Sequence, residues 1–267
     1  MRYIKSLAVI FLALGMNAVH AADQLVLGVQ DYEKSPRMLA AEFKGMAAYL
    51  SDKLGQPVRV QASQSYKRYM GNSKKKRYAF IYGPPSMAMD AYKAAGYEPV
   101  AKIPGVLSAS FMTLSTSDVA FPEDMKGKRI GMPDDDSLMT KLAMAKLRSM
   151  KINPDGYFSK VQTFNDASDV ISALKLNLID VGVANSSLFN VWTGKGHNLN
   201  VVLTTDSAPH LTFSVNKDLP ADVKAKVTQA MLEAHKDPKL ASYFKSSGFQ
   251  NFEAASLKDY QKILSLK

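Results

Sequence analysis

Apolar and polar positions alternate between two periods along the chain. Leu25-Val26-Leu27-Gly28-Val29 is a short apolar run rich in strand formers and reads as a buried strand. Ser35-Pro36 follows as an N-cap with a first-turn proline. Leu39, Phe43, Met46, Leu50 and Leu54 then recur at three- and four-residue spacing, the stripe of one amphipathic helix that Gly55 stops. Residues 57–61 predict the next strand, 65–70 a short helix, and 78–82 a third strand ended by Gly83-Pro84-Pro85. A helix over 86–95 and a strand at 99–103 complete this first run. After Pro104-Gly105 the alternation resumes with strands at 110–115 and 129–132 and a helix striped by Met139, Ala143, Leu147 and Met150. Strands at 161–164, 180–184 and 200–204 alternate with helices at 169–176 and 186–192. Residues 211–215 are extended, Pro220 opens a long helix with Val223, Val227, Met231 and Ala234 in register, and 256–266 predict a last helix.

Strands alternating with helices and short turns predict an α/β fold with largely parallel sheets. Two successive runs, 22–105 and 106–209, are followed by helices without strands over 210–267. The economical arrangement is two lobes, with the chain crossing from the first to the second and back before its tail packs. The sequence has no short tandem repeat and no low-complexity segment.

The first 21 residues stand apart from this pattern. Arg2 and Lys5 precede an apolar stretch, Leu7 to Met16, and Val19-His20-Ala21 supplies small residues at a cleavage point. This is the pattern of a secretory signal peptide. The apolar stretch is about half the ~20 residues of a membrane-spanning helix. Cleavage near Ala21 and a mature, exported, periplasmic protein that is not membrane-inserted are expected.

Composition narrows the function classes. Zero cysteines exclude a disulfide scaffold, a zinc–thiolate site, a cysteine nucleophile and an iron–sulfur cluster. The formal charge of +10 is unevenly spread. Residues 22–105 hold 13 basic and 7 acidic side chains, 106–209 hold 10 and 11, and 210–267 hold 9 and 6. Six cations fall in Lys67-Arg68 and Lys74-Lys75-Lys76-Arg77, either a solvated turn or a surface that meets an acidic solute or partner. The expected export removes nucleic acid from the expected targets whatever the charge.

Catalytic signatures are missing: there is no nucleophile elbow, phosphate loop, zinc-protease helix or dinucleotide fingerprint. His197, His210 and His235 have no ligand spacing, so no metal and no cofactor are expected. Turns after strands carry more information, because α/β proteins gather ligands beyond the carboxyl ends of their strands and helix N-termini there attract anions. Three turns qualify: Gln30-Asp31-Tyr32, Tyr82-Gly83-Pro84-Pro85-Ser86, and Asp134-Asp135-Asp136-Ser137-Leu138. Each has a plainer reading. Tyr82 could simply end a buried strand, and Asp136, Ser137, Asn165 and Asp166 could simply cap helices. Asp180 opens a strand, where Asp is poorly suited, so a ligand-facing or hinge role gains weight. His210 sits at the second crossover, in a cleft position or an ordinary loop, and Trp192 reads as core.

The order of elements resembles the type 2 periplasmic solute-binding proteins of ABC transporters, most closely their phosphate/phosphite/phosphonate-binding (PhnD-like) branch. Residues Tyr82 to Ala91 match the family's strand-Gly-Pro-helix segment. Met125-Lys126-Gly127-Lys128-Arg129-Ile130-Gly131 matches its Leu-Lys-Gly-Lys segment, and Asp166 to Ala184 its helix-turn-strand ending in Asp-x-Gly. The resemblance implies two lobes joined by crossover strands around one enclosed solute. It places Tyr32, Tyr66, Tyr82 and Gly83 on the first lobe's side of the cleft, and Ser137, Asn165, Asp166 and Asp180 on the second's. Three departures bear on the solute. Asp134-Asp135-Asp136-Ser137 replaces a hydroxyl-rich turn, Asn165 replaces a His, and the acid before strand three is absent from Lys76-Arg77-Tyr78. The expected function is non-enzymatic capture of a phosphonate, phosphite or related oxyanion by a monomer that serves an inner-membrane ABC permease. The alternatives are an adaptor for a membrane sensor kinase and a binder of another small organic anion or zwitterion.

Overall fold

A computed structural model describes residues 24–31, 34–63 and 65–266; the expected signal peptide and Tyr32 lie outside the described residues. The first run forms β1 (Leu25–Val29), α1 (Pro36–Glu42), α2 (Lys44–Leu54), β2 (Val58–Ala62), α3 (Tyr66–Lys74), β3 (Phe80–Gly83), α4 (Pro85–Ala95) and β4 (Tyr97–Lys102). The chain crosses on β5 (Val106–Leu107) into β6 (Ala109–Leu114), β7 (Arg129–Met132), α5 (Leu138–Ser149), a single turn α6 (Pro154–Tyr157), β8 (Lys160–Thr163), α7 (Ala167–Lys175), β9 (Val181–Asn185), α8 (Ser187–Gly194) and β10 (Leu199–Thr204). It returns on β11 (Ala208–Pro209) to β12 (Thr212–Asn216), α9 (Ala221–Glu233), α10 (Ala241–Ser247), β13 (Glu253–Ala254) and α11 (Gln261–Leu264).

The strands build two sheets, ordered β13-β4-β12-β3-β1-β2 and β10-β6-β9-β7-β8. β5 and β11 pair antiparallel with each other, Leu107 opposite Ala208, and form the double crossover between the lobes. In each sheet the strand nearest the crossover runs against its neighbours. β12 is antiparallel to β3 and β4, and β6 is antiparallel to β9 and β10. The other strands of the second sheet share one direction, as do β1 to β4 of the first. The sheets are therefore mixed, not simply parallel, because each receives the chain arriving from the other lobe.

Both sheets are covered on both faces, which is why their strands read as nearly continuous apolar runs. One face of the first sheet packs Leu27, Phe80 and Phe213 against Leu39, Met46 and Leu50 of α1–α2 and Met231 of α9. Its other face packs Val26 and Ile81 against Tyr69 of α3 and Met87 and Ala91 of α4. In the second lobe Phe111, Ile130 and Val181 meet Ala143 and Leu147 of α5, while Met112 and Ala184 meet Val170 and Leu174 of α7 and a buried Trp192.

Three expectations change. The helix predicted through Leu54 is kinked at Phe43 (φ −89°, ψ 2°). Its hydrogen-bonding continues through the kink, Phe43 N–H to Leu39 O and Ala47 N–H to Phe43 O, so the apolar stripe survives. The segment after residue 240 contains α10 and the edge strand β13, neither of which shows a clear period in the sequence. The last helix is a 3₁₀ turn followed by the single turn α11, and its Tyr260 and Ile263 join the core that α4 and α5 share. Among the described residues no helix is long and apolar enough to cross a membrane.

Gly28 is required by packing: a Cβ there would lie 2.6 Å from the Tyr78 ring, whereas nothing lies within 4 Å of a Cβ on Gly71. Gly28→Ala is expected to lower unfolding free energy by about 1–3 kcal/mol. Gly71→Ala, inside α3, should raise it by about 0.5–1 kcal/mol. Urea denaturation of the two variants checks the contrast.

Candidate functional site

A cavity of about 470 Å³ opens between the lobes, where the strands of both sheets reach their carboxyl ends. Gln30 and Asp31 line it after β1, and Tyr82, Gly83 and Pro84 after β3. The opposite wall comes from Ser137, Leu138 and Met139 after β7, Asp166 and Ala167 after β8, and Asn185, Ser187 and Leu188 after β9.

Three second-lobe helices begin on this wall. Ser137 Oγ accepts the Thr140 N–H of α5, an Asp166 carboxylate oxygen accepts the Asp169 N–H of α7, and Asn185 Oδ1 accepts the Ser187 N–H of α8. The first N–H groups of a helix have no intrahelical acceptor, so those of Leu138, Met139 and Ala167 stay available to an anion at the positive end of the helix dipole.

The first-lobe wall is an aromatic platform. The Tyr82 ring packs 5.2 Å from Phe43, and its hydroxyl accepts a 2.8 Å bond from Tyr243 Oη. Burial raises both phenol pKa values, so both rings stay neutral donors. The Tyr82 proton has no acceptor among the described residues and can be donated to a solute. Lys34 Nζ holds both carboxylate oxygens of Glu42, at 2.7 and 2.9 Å. His210 Nδ1 accepts the Leu211 N–H at 2.8 Å, which puts the neutral ring's proton on Nε2. Burial, aided by the Lys102 charge, lowers the His210 pKa and keeps the ring neutral.

Residues 32–260 match the sequence profile of a family described as "ABC transporter, phosphonate, periplasmic substrate-binding protein". The chain belongs to this family. No curated protein matches it in sequence. Solved structures share its fold at low identity, and that likeness concerns the fold alone. XAC2383 from Xanthomonas citri, bound to ATP, is 15% identical with a TM-score of 0.77 and covers 91% of this chain and 95% of its own. PhnD1 from Prochlorococcus marinus, in complex with methylphosphonate, is 16% identical with a TM-score of 0.75, covering 91% and 96%. A binding protein component of an ABC phosphonate transporter from Pseudomonas aeruginosa is 15% identical with a TM-score of 0.72, covering 90% and 83%.

Of the residues singled out in the sequence, the cavity of this substrate-binding protein brings together Tyr82, Gly83, Ser137, Asp166 and His210. Tyr66 and Asp136 fall instead in a second polar cluster at the junction of the lobes. Tyr66 Oη donates to Asp90 Oδ2 at 2.7 Å, and Lys141 of α5 reaches the same oxygen at 3.0 Å. Burial raises the Asp136 pKa against the pull of Lys141, with Asp134, Asp90 and Asp135 adding to the rise. Ser86 is buried in the first turn of α4 and is not among the residues that line the cavity. Asn165 is exposed and bonds Asp169.

Asp180 precedes β9, at the end opposite Asn185, and so lies a strand's length from the cavity. It accepts the Arg129 N–H at 2.8 Å and the guanidinium at 2.6 and 3.0 Å, tying the start of β7 to β9. The placement that made Asp180 a cleft candidate is explained by this pair.

Several lining residues carried no signal strong enough to single them out. Tyr243, Ser246, Ser247 and Phe249 come from a segment without visible period, and the Lys34–Glu42 pair flanks an ordinary helix. The aromatic and serine density of residues 243–249 was the available clue.

The Arg129 bonds lower the Asp180 pKa. A carboxylate so lowered contributes stability above the ordinary carboxylate range and loses it as pH falls through its folded-state value. Asp180→Ala should lower the urea midpoint at pH 7, show a smaller difference from wild type at strongly acid pH, and leave solute affinity unchanged.

Proposed function

We propose that the mature protein, freed of its first 21 residues in the periplasm, holds one small phosphonate or phosphite-type oxyanion in this cavity and presents it to an inner-membrane permease. In this reading it acts as a monomer and binds without turning its solute over. Residues 22–105 with the return from residue 210 form one jaw, and 106–209 form the other.

The convergence of the α5, α7 and α8 starts on one wall carries this reading. Three carboxylates and a single lysine, already paired, line the cavity among the described residues. Anion binding therefore rests on backbone N–H groups and neutral donors, not on side-chain cations. The phosphorus oxygens face Leu138, Met139 and Ala167. Tyr82 Oη and His210 Nε2 approach from the other jaw, and Phe43 and Phe249 receive the organic substituent. The methylphosphonate held by PhnD1 of similar fold supports this class of solute.

Calorimetric titration of residues 22–267 with methylphosphonate, phosphite, phosphate, methanesulfonate and arginine tests it. One phosphorus oxyanion should bind at 1:1 stoichiometry and, at a hundred times its Kd, stabilise the fold by about 2.7 kcal/mol. Tyr82→Phe removes a donor to a charged group and should weaken that solute about tenfold or more. No binding of any phosphorus oxyanion, or tighter binding of arginine, would contradict the proposal.

A further inference from the structure

Among ion pairs of the described residues, Lys141–Asp90 is the one that joins the two lobes. The others close within the first lobe and its return, or within the second. Asp90 lies on α4, and Lys141 lies on α5, three residues after Leu138. Lys141 Nζ stands 3.0 Å from Asp90 Oδ2, with the two side chains 22% and 28% exposed. Tyr66 Oη donates to the same oxygen at 2.7 Å, which anchors the carboxylate to α3 of its own lobe.

The surroundings of this pair are acidic. Burial first, then Asp90, Asp136 and Asp134, push the Tyr66 phenol above its ordinary range, so the acids that precede α5 come close to the first lobe. Asp90 in turn adds to the rise at Asp136, which Lys141 opposes. Carboxylates of both lobes therefore repel one another across the junction, and Lys141 is the cation set among them. Partial burial weakens the screening that salt would otherwise provide.

Lys141 is also tied to the anion-binding wall. Its N–H bonds the Ser137 carbonyl and closes the first turn of α5, the turn that brings Leu138 and Met139 to the cavity. α4 and α5 meet one core beside the β5–β11 crossover, so a charge pair between them acts on the angle between the lobes.

We propose that Lys141 is a positioning residue, a latch from α5 to Asp90 that holds the lobes together against the repulsion of Asp90, Asp134 and Asp136. A solute enclosed between the lobes leaves when they part, so the latch sets how long the solute stays. It goes beyond the identity of the solute and acts on the empty protein as well.

The chain has no cysteine, so paired spin labels can be placed at Lys53→Cys of α2 and Lys175→Cys of α7, both exposed and one on each lobe. Pulsed electron–electron resonance then measures the interlobe distance in residues 22–267 without solute, with Lys141 intact and in Lys141→Met, Asp90→Asn and Lys141→Arg. Lys141→Met removes the cation and leaves the carboxylates, so it should lengthen the distance. Asp90→Asn removes an attraction and a repulsion together and should lengthen it less. Lys141→Arg keeps the charge and should restore the original distance. Stopped-flow release of methylphosphonate should quicken about tenfold in Lys141→Met, with association little changed. An unchanged distance in Lys141→Met, an equal lengthening in Asp90→Asn, or unaltered release of bound methylphosphonate would overturn the latch. No binding of methylphosphonate would count against the phosphonate reading and not against the latch, which the solute-free distances decide.

Discussion

The first backbone N–H groups of α5, α7 and α8 cannot be satisfied within their own helices, and the fold places all three helix starts on one wall. Side chains meet part of the need: Ser137, Asp166 and Asn185 each take one N–H group. The remainder faces the space between the lobes. This follows from topology, because a helix that follows a strand begins at the strand's carboxyl end, and the second sheet aligns β7, β8 and β9 in one direction. The cavity is the meeting point of donors that the architecture has no other way to employ.

The two walls divide the chemistry. The second lobe supplies oriented dipoles without net side-chain cations, and the first supplies aromatic surface, two neutral phenols and a set of acceptors. The overall basic charge belongs elsewhere. Lys67, Arg68 and residues 74–77 are exposed on and after α3, outside the cavity lining, and Lys76 pairs with Asp218. A high isoelectric point is thus compatible with an acidic binding site, and net charge is a poor guide to the solute.

Alternation of short apolar runs with helical stripes made the element order and the two-lobe arrangement legible, because both sheets are buried on both faces. The reversal of β6 and β12 was not legible, since an apolar run has the same appearance in either direction. Local turn chemistry singled out Tyr82, Gly83, Ser137 and Asp166, and the crossover singled out His210, and all five line the cavity. Asp180 and Asp136, singled out from local sequence, and Tyr66, singled out by the family resemblance, lie outside the cavity lining, and their partners Arg129, Lys141 and Asp90 are distant in sequence in all cases but Lys141. Tyr243 escaped notice for the same reason: its partner Tyr82 lies 161 residues away. Capping is a local event and can be read locally, whereas pairing across lobes or between strands cannot.

The most direct measurement is a crystal structure of residues 22–267 with a bound phosphonate. The account predicts phosphoryl oxygens within about 2.7–3.2 Å of the backbone nitrogens of Leu138, Met139 and Ala167. An oxyanion seated on Lys34, with those three N–H groups turned to water, would contradict it.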